Sequence, residues 1–503
     1  MTDLSRFDWS GAVAGLRFPT DAFIDGRPVP ALSGERFDCV NPATGEILTR
    51  VAACDKADVD LAVAAARRAY EDGRWSRLSP TRRKEVLLRL AERIEAERIE
   101  LSLLDTLDIG KLVSDAATIA IPGAVAVLRW TAEAVDKLYD DIAPAGHGNL
   151  AMIRRQALGV VGAVTPWNFP LEMAIWKCAP ALAMGNSVVL KPAEQSPLSA
   201  LRLAELAQEA GLPDGVLNVV PGFGPTAGKA LGLHPDVDCL TFTGSTEVGK
   251  FFLGYSAQSN MKQVWLECGA KSPNIIFADC EDLDAAAESA AGAIFFNQGE
   301  VCSAKSRLLV QNAILPAFLE RVTAAAARFR PGDPLDPAST MGAIVDEVQT
   351  SRIMSYIEHG RKHSRLVMGG NRVEIGGRGC FIEPTVFADV APDDRLSQEE
   401  IFGPVLAVTG FDTEEEALAI ANDSIFGLSA SVWTGSISRA MRVSDALKTG
   451  MVSVNTTSAL SPMTPFGGFK QSGIGRDLSL HAFDKFSGLK LVWLKYQTES
   501  GEG

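Results

Sequence analysis

Histidine, paired cysteines and runs of basic residues are all scarce in this chain, and each shortage removes a class of function. Five of the 503 residues are histidines: His147, His234, His359, His363 and His481. The one close pair, His359 and His363, has helical spacing but no HExxH glutamate, so no metal centre is expected. A Cys–His catalytic dyad is equally poorly provided for. The eight cysteines are scattered without a CxxC pair, which argues against both a disulfide framework and a zinc site. Net charge is −14 and no basic run stands out, so neither nucleic acid nor an anionic membrane surface is expected as a partner. The opening MTDLSRFDWSGAVAGLRF has no basic flank ahead of an apolar core, and no stretch reads as the ~20 apolar residues of a membrane span. A cytoplasmic protein is the expectation.

What is present is ordinary globular material in quantity. Hydrophobic residues make up 47% and charged residues 22%. A single core stops growing at about 250–300 residues, so 503 residues imply two large domains. The pieces FIDGRPV, ERFDCV and ILTRVA, with the turn NPATGE, predict a small antiparallel meander. Asp55 and Ser79-Pro80 then read as the starts of two helices with apolar residues at helical spacing.

From Leu158 to Gly269 the pattern changes to short apolar runs, VVGAV, SVVL, VLNVV, CLTF and QVWLE, with helical segments between them. Alternation of this kind needs crossover connections, which gives an α/β fold with a parallel sheet and ligands at the carboxyl ends of its strands. The loops that follow the runs are TPWNFP, KPAE, PGFGPTAG, TGSTEVG and ECGAKSP. PGFGPTAG breaks the GxGxxG spacing. GSTEVGK begins like a phosphate-binding P-loop, but Phe251 stands where Ser or Thr must meet Mg²⁺, which disfavours a phosphotransferase.

Within FFNQGEVCSAKSR, Cys302 follows a Gly-containing turn. An isolated cysteine is usually inert packing. As a nucleophile it needs a base and an oxyanion donor, and Glu267 at the end of WLE and Asn168 in TPWNFP are the candidates. Taken singly, these two are equally at home as a surface carboxylate and a turn or cap asparagine.

The ordered set TPWNFP, KPAE, FTGSTEVG, LECGAKSPN, FFNQGEVC, EEIFGPV and NDSIFGL, then PFGGFKQSGIGRD, resembles the NAD(P)-dependent aldehyde dehydrogenase superfamily over residues 20 to 495. The segments around SNMKQVWLECGAKSPNIIFADC and GRDLSLHAFDKFSGLKLVW are most similar to enzymes of ω-amino and γ-glutamyl-γ-aminobutyraldehydes.

The resemblance implies catalysis by Cys302, Glu267, Asn168 and Lys177. It implies NAD contacts by Lys191, Glu194, Gly244, Ser245, Glu400 and Phe402, with Trp167, Gly224 and Gly228 as further contacts. Glu194 on the ribose would repel a 2′-phosphate, favouring NAD over NADP. A Rossmann-like cofactor domain is expected at 1–139 and 157–268, an α/β catalytic domain at 269–470, and a β oligomerisation segment at 140–156 and 471–503. The partners so implied are a small aldehyde and further copies of the chain, as homodimer or homotetramer. Three positions depart from many relatives: Ala270 for Gly, Glu300 for Gln and Asp477 for Glu.

In FPLEMAIWK, helical spacing puts Phe169, Glu172, Met173 and Trp176 on one face, the implied wall of the substrate channel. A carboxylate among such residues needs a cation, so Glu172 is expected to receive the ammonium end of an ω-amino aldehyde. Against this, SALSPM at 458–463 carries no acid. A neutral acylated, plain aliphatic or aromatic aldehyde is therefore the alternative.

Overall fold

Apolar runs joined only through helices can pair with one another in parallel, and they do. The computed structural model describes residue 4, residues 7–457 and residues 460–497, so Ser458 and Ala459 of SALSPM lie outside the described residues. The five runs form the centre of an eight-stranded sheet in the order Leu217–Val219, Ser187–Lys191, Val160–Val164, Cys239–Thr243, Gln263–Glu267. Each is parallel to its neighbour. Every residue of the three middle strands is buried, as a parallel sheet covered on both faces requires. The chain steps outward in one direction from Val160–Val164 and then returns to its other side. A reversal of this kind opens a crevice at the carboxyl strand ends.

The helix Pro170–Ala183 starts in that crevice with Pro170 in its first turn, and all fourteen residues are buried. It packs on Pro80–Ala96 and Ile121–Ala134. Caps stand where the sequence puts them: Asp55 makes a capping box with Asp58 at the start of Lys56–Glu71, and Ser79 caps Pro80–Ala96.

A second sheet, of seven strands, runs in the order Arg365–Met368, Thr385–Ala388, Val405–Phe411, Arg307–Gln311, Pro273–Ile276, Ser429–Trp433, Met451–Val454. All but the first are parallel to their neighbours. This sheet has its own core, with Phe295, Leu308, Val310 and Phe318 inside.

Two expectations are corrected. The opening strands do not form one meander. Ala22–Ile24 and Arg27–Val29 are a hairpin on the edge of the first sheet, whereas Arg36–Val40 and Ile47–Ala52 pair separately. Burial explains the split. Ala22–Ile24 is covered on both faces, while Arg36–Val40 alternates, with Phe37 and Cys39 inward. Second, the helical run 113–137 does have the length and hydropathy of a membrane span, with a mean of 1.2. More than half of it is buried inside the fold, and Ile121, Ala124, Leu128 and Ala132 belong to the first core.

Asn149–Ala157 pairs antiparallel with Asp141–Ala143 on one side and Ser487–Lys495 on the other. Gly473–Ile474 joins the first sheet beside Gln263–Glu267, ahead of that arm.

Candidate active site

The turn before Cys302 is built from three left-handed residues in succession. Asn297, Gln298 and Gly299 have φ of 49°, 56° and 75°, a conformation that side chains normally resist. It is held by the Gln298 amide, which accepts from Gly342 N at 3.0 Å and donates to Ala343 O at 3.1 Å. At Gly299 a Cβ would stand 2.2 Å from Gly403 O, so only glycine fits. The chain thereby leaves Leu283–Phe295 and delivers Cys302 to a cavity of about 510 Å³.

That cavity brings together Cys302, Asn168, Phe169, Glu172, Met173 and Trp176. Asn168 donates one amide N–H to Glu300 O at 2.8 Å. The amide has two N–H groups, so the second remains for an oxygen in the cavity. Phe296, Phe329 and Phe466 complete a largely apolar wall, with Phe466 edge-on to Trp176 at 5.0 Å. Burial drives the Glu300 carboxyl far above its usual range, toward the neutral acid that is isosteric with glutamine.

Glu172 is 8% exposed, and burial lifts its carboxyl to about 7. A cation lies near Glu172 within the protein itself, Lys111, although no ion pair joins the two among the described residues. This fully buried lysine stands 3.5 Å from the centre of the Phe169 ring, and its charge favours ionised Glu172. Lys111 also lies in the field of Asp105, Asp115 and Glu300. Gly123 makes room for Glu172, since a Cβ there would meet its Oε1 at 3.0 Å.

Glu267 ends its strand next to the cavity and is 4% exposed. Burial raises its carboxyl to about 8. Asp477 and Glu400 raise it as well, while Lys177 and Lys485 oppose them. Lys177 Nζ donates to Asp477 Oδ2 at 2.6 Å, and Lys485 donates to the other oxygen. All three side chains are at most 4% exposed. Burial opposes the Asp477 charge, but the two lysines outweigh it and hold the carboxyl below its usual range. Burial pushes the Cys302 thiol up, and Glu267 and Glu400 push it further. Backbone N–H groups of Ser303 and Cys302 pull it back.

The remaining predicted residues line the crevice of the first sheet. Glu400 reaches across to accept from Ala270 N at 2.8 Å, over Gly269, where a Cβ would stand 2.4 Å from its carboxylate. Phe402 has φ of 59° and meets Trp167 edge-on at 5.2 Å. Lys191 Nζ donates to Glu194 at 2.8 Å; the lysine is buried and the carboxylate is one-third exposed.

Only Gly244 and Ser245 separate strand Cys239–Thr243 from helix Thr246–Gln258. Two residues are too few to wrap a triphosphate as a P-loop does, yet Ser245 caps the helix, and the first-turn N–H groups have no intrahelical acceptor. Gly224 and Gly228 border open space, with nothing within 4 Å of a Cβ at either. A partly exposed acid, a capped helix N-terminus and a helical turn whose glycines border open space, all after strands of one sheet, suit a dinucleotide.

The sequence reading missed Lys111, Lys305 and Lys485. Each is a lysine in a helix, turn or loop segment with no motif to mark it.

A nucleotide crevice that opens beside a thiol and a buried carboxylate defines a cofactor-dependent oxidoreductase of carbonyl compounds. The chain belongs to the aldehyde dehydrogenase family, whose sequence pattern matches residues 29–492, and it oxidises aldehydes with NAD as cofactor. It is 50% identical over 489 residues to the NADP/NAD-dependent aldehyde dehydrogenase PuuC of Escherichia coli, covering 97% of this chain and 98% of that one. The P. syringae indole-3-acetaldehyde dehydrogenase AldA, solved as a C302A mutant with NAD+ and IAA, superposes with a TM-score of 0.97. It is 53% identical, over 98% of this chain and 100% of that one. A gamma-glutamyl-gamma-aminobutyraldehyde dehydrogenase from Burkholderia cenocepacia gives 0.96 at 53% identity, covering 97% and 99%.

Proposed function

We propose that the protein oxidises ω-amino aldehydes to the corresponding acids through a thioester on Cys302. The observation that carries this reading is the shared cavity of Cys302, Asn168 and the Glu172 face, with Glu267 at the adjoining strand end. The Cys302 thiolate adds to the carbonyl carbon and forms a C–S bond. The second N–H of Asn168 and the backbone N–H of Cys302 stabilise the resulting oxyanion. As that oxyanion collapses the C=O bond re-forms and hydride is expelled, leaving a thioester on Cys302; NAD+ held in the crevice would supply the hydride acceptor. Glu267, ionised, removes a proton from water as its oxygen attacks that thioester; the C–S bond breaks and releases the acid and the thiolate.

Lys177 and Asp477, with Lys485, form the buried link through which Glu267 exchanges its proton. On the cofactor side, Glu194 and Lys191 hold the adenosine ribose, and Gly244, Ser245, Gly224 and Gly228 border the diphosphate. Glu400, Phe402 and Trp167 enclose the nicotinamide end. The chain divides at residue 268 into cofactor and catalytic parts, with the arm at 140–156 and the C-terminus joining copies into a homodimer or homotetramer in the cytoplasm.

For the substrate, Lys111 is shared by Glu172, Asp105 and Asp115, with burial holding Glu300 toward the neutral acid, so a second cation arriving at Glu172 still gains. A relative from Pseudomonas aeruginosa, by name an aminoacetaldehyde dehydrogenase and 49% identical over 98% of this chain, supports this choice, whereas the aminobutyraldehyde nitrogen in the Burkholderia relative's γ-glutamyl substrate is an uncharged amide. The aromatic wall favours a second reading, an arylacetaldehyde like that of AldA. A panel of 4-aminobutanal, 4-guanidinobutanal and neutral isosteres, run on wild type and Glu172→Gln, separates the two. The cationic members should have the higher kcat/KM, and the substitution should remove most of that advantage. Equal kcat/KM across the panel would leave the arylacetaldehyde reading.

A further inference from the structure

The catalytic cavity contains one charged group with no assigned task. Lys305 lies three residues after Cys302, lines the same cavity and is 4% exposed. Its Nζ donates to Ser429 Oγ at 2.6 Å and to Ser303 O at 3.2 Å. Both acceptors are neutral, and among the described residues no carboxylate lies within ion-pair distance of this ammonium. Lys177, Lys191 and Lys485 each hold a carboxylate, whereas Lys111 and Lys271, buried like Lys305, have no ion pair and no hydrogen-bond partner for Nζ among the described residues, and neither lines the cavity. Burying an ammonium without an anion is costly, and proteins normally pair or neutralise it. Of these unpaired lysines Lys305 is the one that lines the catalytic cavity, where the anion available to it is the Cys302 thiolate.

We propose that Lys305 is a positioning residue whose ammonium holds the Cys302 thiolate against the two carboxylates that face it, Glu267 and Glu400. The inference rests on Cys302 being the nucleophile. Glu267 comes from the end of the first sheet and Glu400 from the loop ahead of Val405–Phe411, and both disfavour a thiolate. Lys305 approaches from the chain beyond the cysteine and is anchored to the second sheet through Ser429. Burial lowers its own ammonium to about 8, and Cys302 is the one titratable group that raises it. A thiolate that favours the ammonium is favoured by it in turn, a contribution smaller on the thiol than those of burial, Glu267 and Glu400. Lys305 makes no hydrogen bond to Sγ within the geometry described, so it acts as charge and not as a proton donor. Ser429 fixes where that charge sits.

The test is the pH dependence of iodoacetamide alkylation at Cys302, followed by peptide mass spectrometry on the full-length enzyme, with residual activity read in parallel. Lys305→Met should move the midpoint of the Cys302 profile upward by about one unit and slow alkylation at neutral pH about tenfold. Lys305→Arg, which keeps the charge, should follow wild type. Lys305→Gln keeps a polar contact for Ser429 and provides a second neutral variant should the methionine form not fold. Its profile should move in the same direction. A thermal melt and NAD+ affinity equal to wild type would show that the shift is not a consequence of unfolding. Unshifted profiles in both neutral variants would overturn the role of Lys305 while leaving the nucleophile in place. If alkylation at Cys302 in wild type left turnover intact, the nucleophile itself would be refuted, and this inference with it.

Discussion

Glu267 shows how one residue's surroundings decide its chemistry. Burial and two acids lift its carboxyl to about 8, so below that pH it is mainly protonated and above it becomes a base. Where thioester hydrolysis limits turnover, the rate should therefore rise with pH along a limb centred near 8. The sign for stability is the opposite. A carboxyl raised in the folded state contributes least once the pH has risen through that value, because the ionised form is the one burial penalises. Glu267→Gln should flatten the rate limb yet still release a burst of about one NADH per active site in stopped flow, since hydride leaves before water is activated. A missing burst would place Glu267 in the activation of Cys302 instead. Lys177 and Asp477 make less clean targets, because breaking a buried ion pair costs about 3–5 kcal/mol in stability and confounds the rate.

At the scale of elements, the strand Ser487–Lys495 is the one most in need of a partner. It pairs on one side only, with Asn149–Ala157, and Leu489, Leu491 and Trp493 are 69%, 60% and 57% exposed. An apolar edge of this kind invites a further strand or chain. Leu491→Asp combined with Trp493→Asp should yield a smaller particle in size-exclusion chromatography with light scattering. A mass equal to wild type would remove the strand from the interface. The run GLKLVWLKY, apolar at alternate positions and beyond, is consistent with such an edge on sequence alone. The five parallel strands were legible for a similar local reason, each being a short apolar run bounded by helix and loop. The caps at Asp55 and Ser79 were legible because capping is local chemistry. The opening hairpins were not, because whether Ala22–Ile24 joins a sheet depends on a neighbour, Val219, nearly two hundred residues away.

For the whole molecule, two sheets with separate cores meet around one crevice, and the site exists only where they meet. Asn168 and Glu267 come from the first sheet's strand ends, while Cys302, Lys305 and Glu400 come from the second domain's segments. Motifs made Cys302, Glu267 and Asn168 legible because chemistry constrains their local sequence. Lys111, Lys305 and Lys485 stayed hidden, since what matters about them is burial, and burial is set by tertiary packing that no local pattern encodes. On the proposed mechanism Cys302 carries the substrate as a thioester. The most direct test is NADH formation by Cys302→Ala, measured beside NAD+ affinity. That variant should form no NADH from any aldehyde while binding NAD+ close to wild type, and sustained turnover by it would refute the thioester on Cys302.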